Sequence, residues 1–367
     1  MNILIVKLSA IGDVVLALPF LESLRRAFPR ARITWLVEEA AAGLLPPPPL
    51  LDRVLVARRK TWLRELAAGR PWRAARDVGG FIRELRRERY DVVVDLQGLL
   101  KSGVWVGLSR GKRKIGFDRT RELSYLFLGE RLPRYDPERH ALLRYLDAAV
   151  YLGGAAEPVM FRFPERPEAA REAEKLLAGL SRPLVAVNPG AKWPSKLWPE
   201  AHWRELIRRL AGDLGLGVVL TGSPDERAAN GRLALGPDPA ADLTGRTSLP
   251  VLAEVFRRVD LVVGPDTGPM HLAAATGTPV IALFGPTAPW RTGPFGPGSL
   301  ALRTGIECSP CFRKSCPRPR CLTDLTPDTV ARAVGRFLEG PGRRDGRPVP
   351  IHAATVSDQA HPTTRKA

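Results

Sequence analysis

Short apolar runs alternate with longer amphipathic stretches along most of the chain. In the first half, residues 3–7, 33–37, 54–56 and 92–94 predict strands. Residues 14–28, apolar on one face, and the charged stretch 74–88 predict helices. The second half repeats the pattern. Strands are expected at 184–187, 218–220 and 261–263, and helices at 201–214, 250–257 and 327–338, the last with an early proline. Continuous apolar strands separated by helix-length segments imply parallel sheets covered by helices on both faces. Residues 153–167, rich in Gly, Pro and Glu, predict a linker, and Pro46-Pro47-Pro48-Pro49 a stiff loop. The expected class is α/β, with two doubly wound, Rossmann-like domains over 1–160 and 161–340 facing across a cleft. The polar, Pro-rich residues 341–367 are expected to form a disordered tail.

In such domains ligands bind at the carboxyl ends of the strands. The most informative stretch, Asp266-Thr267-Gly268-Pro269-Met270-His271, sits where a strand turns into a helix that Gly277 ends. Free N–H groups and the helix dipole there suit a phosphate; Gly268 permits close approach, and His271 lies in the first turn. A simple capped helix is the competing reading. Lys7-Leu8-Ser9-Ala10-Ile11-Gly12-Asp13 leaves the first strand in the same way. Asp13 either caps the helix or takes a proton from an attacking hydroxyl. Asn188-Pro189-Gly190-Ala191, followed by Lys192 and Lys196, offers either two point charges for a diphosphate or two solvated lysines. Glu226, in Thr221-Gly222-Ser223-Pro224-Asp225-Glu226, suits a ribose or a helix start equally well.

Composition narrows the partners. The 367 residues are 44% hydrophobic and contain no apolar run of spanning length, so a membrane-spanning helix is not expected. The first residues read as a strand and not as a signal peptide, which predicts a cytoplasmic protein. A net charge of +18 draws the chain toward acidic partners: phosphorylated glycolipid, an anionic membrane surface or nucleic acid. The 46 arginines against 10 lysines point to base composition as part of that excess. Clusters such as Arg58-Arg59-Lys60, Arg86-Arg87 and Lys112-Arg113-Lys114 are individually ordinary solvated faces. No helix-turn-helix, His-containing zinc finger or aromatic RNA-binding signature is visible, so a nucleic-acid partner is not expected.

Together these motifs resemble glycosyltransferase family 9, the lipopolysaccharide heptosyltransferases, and most closely its type-I members. The resemblance rests on the Lys7-to-Asp13 motif, Glu38-Glu39, Asp95-Leu96-Gln97-Gly98-Leu99-Leu100-Lys101-Ser102, Lys196-Leu197-Trp198-Pro199-Glu200-Ala201-His202-Trp203, and the Asp266 motif continuing to Gly285-Pro286-Thr287. It spans nearly the whole chain. It implies a GT-B fold, the sugar nucleotide on the C-terminal domain, the acceptor on the N-terminal one, and inversion without a required metal. It also implies that Asp13 is the general base, and that Lys196, Glu226, Asp266, Thr267, Gly268 and His271 hold the nucleotide sugar. Arg58, Arg59, Lys60 and Arg121 would then meet the carboxylates of Kdo, an acidic keto-sugar, and the phosphates of lipid A. The implied reaction moves heptose from ADP-heptose to a Kdo–lipid A acceptor at the cytoplasmic face of the inner membrane. Alternatives are addition of heptose to heptose, as in type II, and nucleotide-sugar epimerisation on the same architecture.

One feature departs from the enterobacterial type-I pattern. Cys308, Cys311, Cys316 and Cys321 form a C-x2-C-x4-C-x4-C cluster among prolines. Four thiols so close suit a structural zinc, or they are free or redox-active, and disulfides are disfavoured in a reducing compartment.

Overall fold

The computed structural model describes residues 1–118, 122–163, 166–233, 240–296, 298–339 and 353–355. The chain divides into two units, Met1–Pro164 and Glu165–Ala367.

In the first unit the strands are β1 (Asn2–Val6), β2 (Arg32–Glu38), β3 (Arg53–Ala57), β4 (Tyr90–Asp95), β5 (Gly111–Phe117) and β6 (Glu130–Leu132). They pair in the order β3-β2-β1-β4-β5-β6, every pair parallel. Ile3, Leu4, Ile5 and Val6 are all buried because helices cover β1 on both faces, hence the unbroken apolar run. The second unit has β7 (Leu184–Val187), β8 (Gly217–Leu220), β9 (Ala240–Asp242), β10 (Leu261–Pro265), β11 (Val280–Leu283), β12 (Leu300–Arg303) and β13 (Ala353–Thr355). Their order is β13-β12-β11-β10-β7-β8-β9, again wholly parallel. Read from β9, this is the 3-2-1-4-5-6 winding of the first unit with one strand added. Both units are therefore Rossmann-like, as expected. In each, the strand order reverses between the first and fourth strands, which is where such sheets open for a ligand.

Several boundaries differ from those the pattern predicted. The helix expected over 14–28 is two, Ile11–Leu16 and Leu18–Ala27. Pro19 lacks an N–H and starts the second helix without loss. The charged helix runs Pro71–Leu85, and the helix expected over 201–214 is Glu200–Arg208 followed by a π turn, Arg209–Asp213. β5 falls on the Lys112-Arg113-Lys114 cluster. Lys112 pairs with Asp91 at 2.7 Å and Arg113 with Glu130 at 2.7 Å, so neighbouring strands neutralise a stretch too polar to read as a strand. Pro167 opens a helix, Pro167–Leu177, and does not end a linker. Of the tail expected over 341–367, all but Ala353–Thr355 lies outside the described residues, and those three form an edge strand on β12. Among the described residues, no helix is long and apolar enough to cross a membrane.

Candidate functional site

In the first unit, four loops meet at the carboxyl edge of β1, β2, β3 and β4. Asp95 ends β4 buried, with Oδ1 accepting from the N–H groups of Gln97 at 2.9 Å and Gly98 at 3.1 Å, and Oδ2 accepting from Ser102. Gly98 takes the left-handed conformation (φ 67°) that this tight turn requires. The turn aims Gln97 so that its Oε1 accepts from the N–H groups of Leu8 and Ser9, tying the loop after β4 to the loop after β1. Lys101 donates to Ser9 Oγ and to Glu38 Oε1 at 2.9 Å, adding the end of β2.

Asp13 stands in the first turn of Ile11–Leu16, and its two oxygens have different partners. Oδ2 accepts from the N–H of Ala10 at 3.2 Å, so it does cap its helix. Oδ1 accepts from the Tyr145 hydroxyl at 3.4 Å and lies 4.0 Å from Lys7 Nζ, while the side chain stays 43% exposed. Lys7 is buried, donating to Tyr145 Oη at 2.8 Å and to the Leu96 carbonyl at 3.2 Å. Burial opposes its charge, but Asp13 and Tyr145 outweigh that and hold its pKa above the ordinary lysine value. Burial likewise pushes the Tyr145 hydroxyl up, keeping it a neutral donor. The result is a chain of hydrogen bonds from a buried cation, through a phenol, to one oxygen of an accessible carboxylate.

In the second unit, Lys196 comes from the short turn Pro194–Lys196 after β7, and Asp266 follows β10 directly. Lys196 Nζ meets Asp266 Oδ2 at 2.7 Å and donates to the Asp266 carbonyl at 3.0 Å. The Trp193 ring lies under this ammonium at 4.8 Å. Around the same carboxylate, His271 Nε2 stands 3.8 Å from Oδ1 and Thr292 donates to Oδ2 at 3.5 Å. Thr267 is the extended residue before helix Gly268–Ala275, whose first N–H groups point to the same edge. Thr287, after β11, buries a hydroxyl with no hydrogen-bond partner among the described residues.

Glu226 lies between the ends of β7 and β8. Its Oε2 accepts from the N–H of Ser223 at 2.6 Å, the local role the sequence allowed. Its carboxylate also fills space that only glycine leaves: a Cβ on Gly190 would fall 1.9 Å from Oε1, and one on Gly222 would fall 2.9 Å from Oε2. Buried Asn188 binds the Thr221 carbonyl and hydroxyl, both at 3.1 Å, fixing the ends of β7 and β8 to each other.

Arg58, Arg59 and Lys60 are exposed where β3 enters helix Arg59–Ala67, on the sheet edge that carries Asp13, and Arg59 lies 4.0 Å from Glu38. Arg121 lies outside the described residues. Sequence patterns gave no signal for Tyr145, which arrives from helix Ala141–Tyr151.

The cysteine segment is braced against the Lys196 loop. Ser195 donates to the carbonyls of Arg313 and Lys314, Ser309 Oγ donates to the Gly285 carbonyl, and the N–H of Phe312 donates to the Pro286 carbonyl. Cys308 and Cys311 are exposed and Cys321 is buried. Among the described residues, no group of three or more His, Cys, Asp or Glu side chains is drawn together to hold a metal ion. Burial pushes the Cys321 thiol up to about 11, and the other three thiols add to that shift.

Residues 78–321 match the family model for glycosyltransferase family 9 (heptosyltransferase). Lipopolysaccharide heptosyltransferase 1 of Pseudomonas aeruginosa is 34% identical over 366 residues, covering 93% of this chain and 99% of its own. The solved structure of Escherichia coli heptosyltransferase WaaC with ADP superposes with a TM-score of 0.71 at 28% identity, covering 92% of this chain and 100% of that one. The same enzyme with ADP-2-deoxy-2-fluoro heptose gives 0.69 at 28% identity, with 92% and 99% coverage.

The thiol environments predict an order of reactivity. In the metal-free protein at pH 8, iodoacetamide should modify Cys308 and Cys311 first and Cys321 slowest, with Cys321 gaining reactivity as the pH approaches about 11. Peptide mass spectrometry showing Cys321 among the fastest would contradict the structure.

Proposed function

Since the chain belongs to glycosyltransferase family 9, the heptosyltransferase family, we propose that it transfers heptose with inversion from ADP-heptose to the Kdo region of a Kdo–lipid A acceptor. The observation that carries this reading is the pair of carboxyl-edge sites, one built around an accessible carboxylate and the other around a lysine and a helix N-terminus. Names of relatives favour the donor and the acceptor class: ADP and an ADP-heptose analogue in one solved relative, lipopolysaccharide in another.

In this mechanism Asp13 takes the proton of a Kdo hydroxyl, using the oxygen that Tyr145 and Lys7 orient. The freed oxygen attacks the anomeric carbon of heptose as the bond from that carbon to the diphosphate breaks. The electron pair leaves on ADP, whose growing charge meets Lys196 and the N–H groups of helix Gly268–Ala275. Approach of the diphosphate makes it compete with Asp266 for Lys196. Asp266 then serves by holding Lys196 and His271 in place, since its own charge repels phosphate. Thr267 and Gly268 line the backbone cradle. Glu226 holds the ribose through its free carboxylate capacity. Arg58, Arg59, Lys60 and Arg121 bind the acidic acceptor. The reaction takes place on the cytoplasmic face of the inner membrane, to which the enzyme binds peripherally, and the chemistry needs no cofactor. A zinc ion on Cys308, Cys311, Cys316 and Cys321 would brace the segment that supports Ser195. It is a structural proposal, supported by the close spacing of four cysteines along a segment poor in apolar side chains.

Incubation with ADP-heptose and lipid A acceptors carrying Kdo alone, or Kdo plus heptose, tests the reading by product mass. One added heptose on the Kdo acceptor is expected. Addition only to the heptosylated acceptor would assign type-II activity, and conversion of donor without acceptor would assign epimerisation. Lys196→Ala should weaken ADP binding in calorimetry, more so at low salt, where charges are less screened; unchanged affinity would remove Lys196 from the site. Neutralising Arg58, Arg59, Lys60 and Arg121 should raise the acceptor KM and spare the donor KM, and the reverse pattern would move the acceptor elsewhere. Elemental analysis should find about one zinc per chain. No metal in protein purified under reducing conditions, with four alkylatable thiols, would establish free cysteines.

A further inference from the structure

Helices Arg59–Ala67 and Pro71–Leu85 form a hairpin on the first unit. Its inner side is fixed by an aromatic cluster. Trp62 packs on Phe81 with ring centroids 5.4 Å apart and on Trp105 at 5.8 Å, and Phe81 meets Trp105 edge-on at 5.0 Å. Trp62 and Phe81 are buried, which accounts for the hairpin's attachment without using its outer side.

The outer side and tip carry a different chemistry. Residues 66–73 are eight consecutive exposed positions. They include Leu66, 49% exposed, and Trp72, 67% exposed, and Leu63, one turn before Leu66, is 49% exposed. Large apolar groups scattered singly over a surface need no explanation, but three at one hairpin tip do. Around them stand Arg58, Arg59, Lys60, Arg64, Arg70 and Arg73, all exposed, against one acidic residue between 58 and 73, Glu65. Glu65 is taken up by Arg70 at 3.5 Å. Exposed Leu and Trp ringed by arginine match a bilayer interface, where aromatic and aliphatic groups enter the acyl boundary and cations stay with anionic headgroups. A nucleic acid would use the cations and leave Leu63 and Leu66 without a partner.

We propose that this hairpin tip, with Leu63, Leu66 and Trp72 inserted and the surrounding arginines on headgroups, docks the protein on an anionic phospholipid bilayer. The inference rests on the peripheral, lipid-linked acceptor of the proposed function and names the surface responsible. The hairpin begins at Arg58-Arg59-Lys60, on the sheet edge of Asp13, so docking there would bring an acceptor anchored in the same bilayer to the cations that bind it.

The test is flotation of the full chain with vesicles of phosphatidylglycerol mixed with phosphatidylcholine, and with phosphatidylcholine alone. Wild type should float with the anionic vesicles, and added salt should weaken binding. Leu66→Ser combined with Trp72→Ser should lower partitioning at least ~10-fold, and Arg70→Glu with Arg73→Glu should do the same on anionic vesicles only. Leu214→Ser, at an exposed apolar residue of the second unit, should change nothing. The Leu66/Trp72 variant should keep its ADP affinity and its turnover of a lipid-free Kdo acceptor, which separates lost docking from lost folding. Wild type that binds no vesicles would overturn docking as well as the peripheral reading. Vesicle binding unaffected by either double substitution would overturn the hairpin assignment alone. Binding to a duplex or single-stranded RNA in preference to vesicles, lost with the arginines and kept without Leu66 and Trp72, would reassign the face to nucleic acid.

Discussion

The contact between Lys196 and Asp266 organises the second unit's site. Two parallel strands, β7 and β10, bring a cation and an anion to one edge, and the 2.7 Å pair locks the loops that follow them. The Asp266 side chain is 6% exposed and that of Lys196 16%, so the pair is largely shielded while the ammonium keeps a path to the surface. Through Ser195 the lock extends to the carbonyls of Arg313 and Lys314, and through Asp266 it reaches His271 and Thr292. A site for a diphosphate needs this kind of preorganisation. Its cation must be in place before the ligand arrives, yet released from its internal partner at modest cost.

The first unit solves a related problem with the opposite emphasis. There the cation, Lys7, is the buried member, and the carboxylate, Asp13, is the accessible one. Tyr145 stands between them, accepting from Lys7 and donating to Asp13. One oxygen of Asp13 is committed to its helix and the other is oriented, leaving a carboxylate whose direction is fixed while its face remains open to an acceptor hydroxyl. The same winding thus places a Lys–Asp pair at a strand edge twice, and the proposed mechanism uses one to bind an anion and the other to aim a base.

Much of this was legible in the sequence because the motifs are local. Asp266 through His271 joins a strand to a helix within six residues, so its place at the carboxyl edge followed from periodicity alone. The Lys7-to-Asp13 turn was legible for the same reason. The burial of Lys7 was not, because it depends on Tyr145, which lies 132 residues from Asp13. Lysine is almost never fully buried unless paired, and the partner was invisible to local pattern. β5 was hidden by its charges, whose neutralisation by Asp91 and Glu130 is a cross-strand event. The bracing of the Lys196 loop by the cysteine segment, more than a hundred residues later, was likewise beyond any local reading. Of the residues proposed to bind the acceptor, Arg121 is outside the described residues.

In the proposed mechanism Asp13 acts on the acceptor while the nucleotide is bound independently of it. Single-turnover transfer by Asp13→Asn, with ADP-heptose and Kdo–lipid A at saturation, tests that claim most directly when ADP affinity is measured on the same protein. The rate should fall ~10²–10⁴-fold with ADP affinity unchanged. A rate near wild type, or a loss explained by weaker ADP binding, would contradict it.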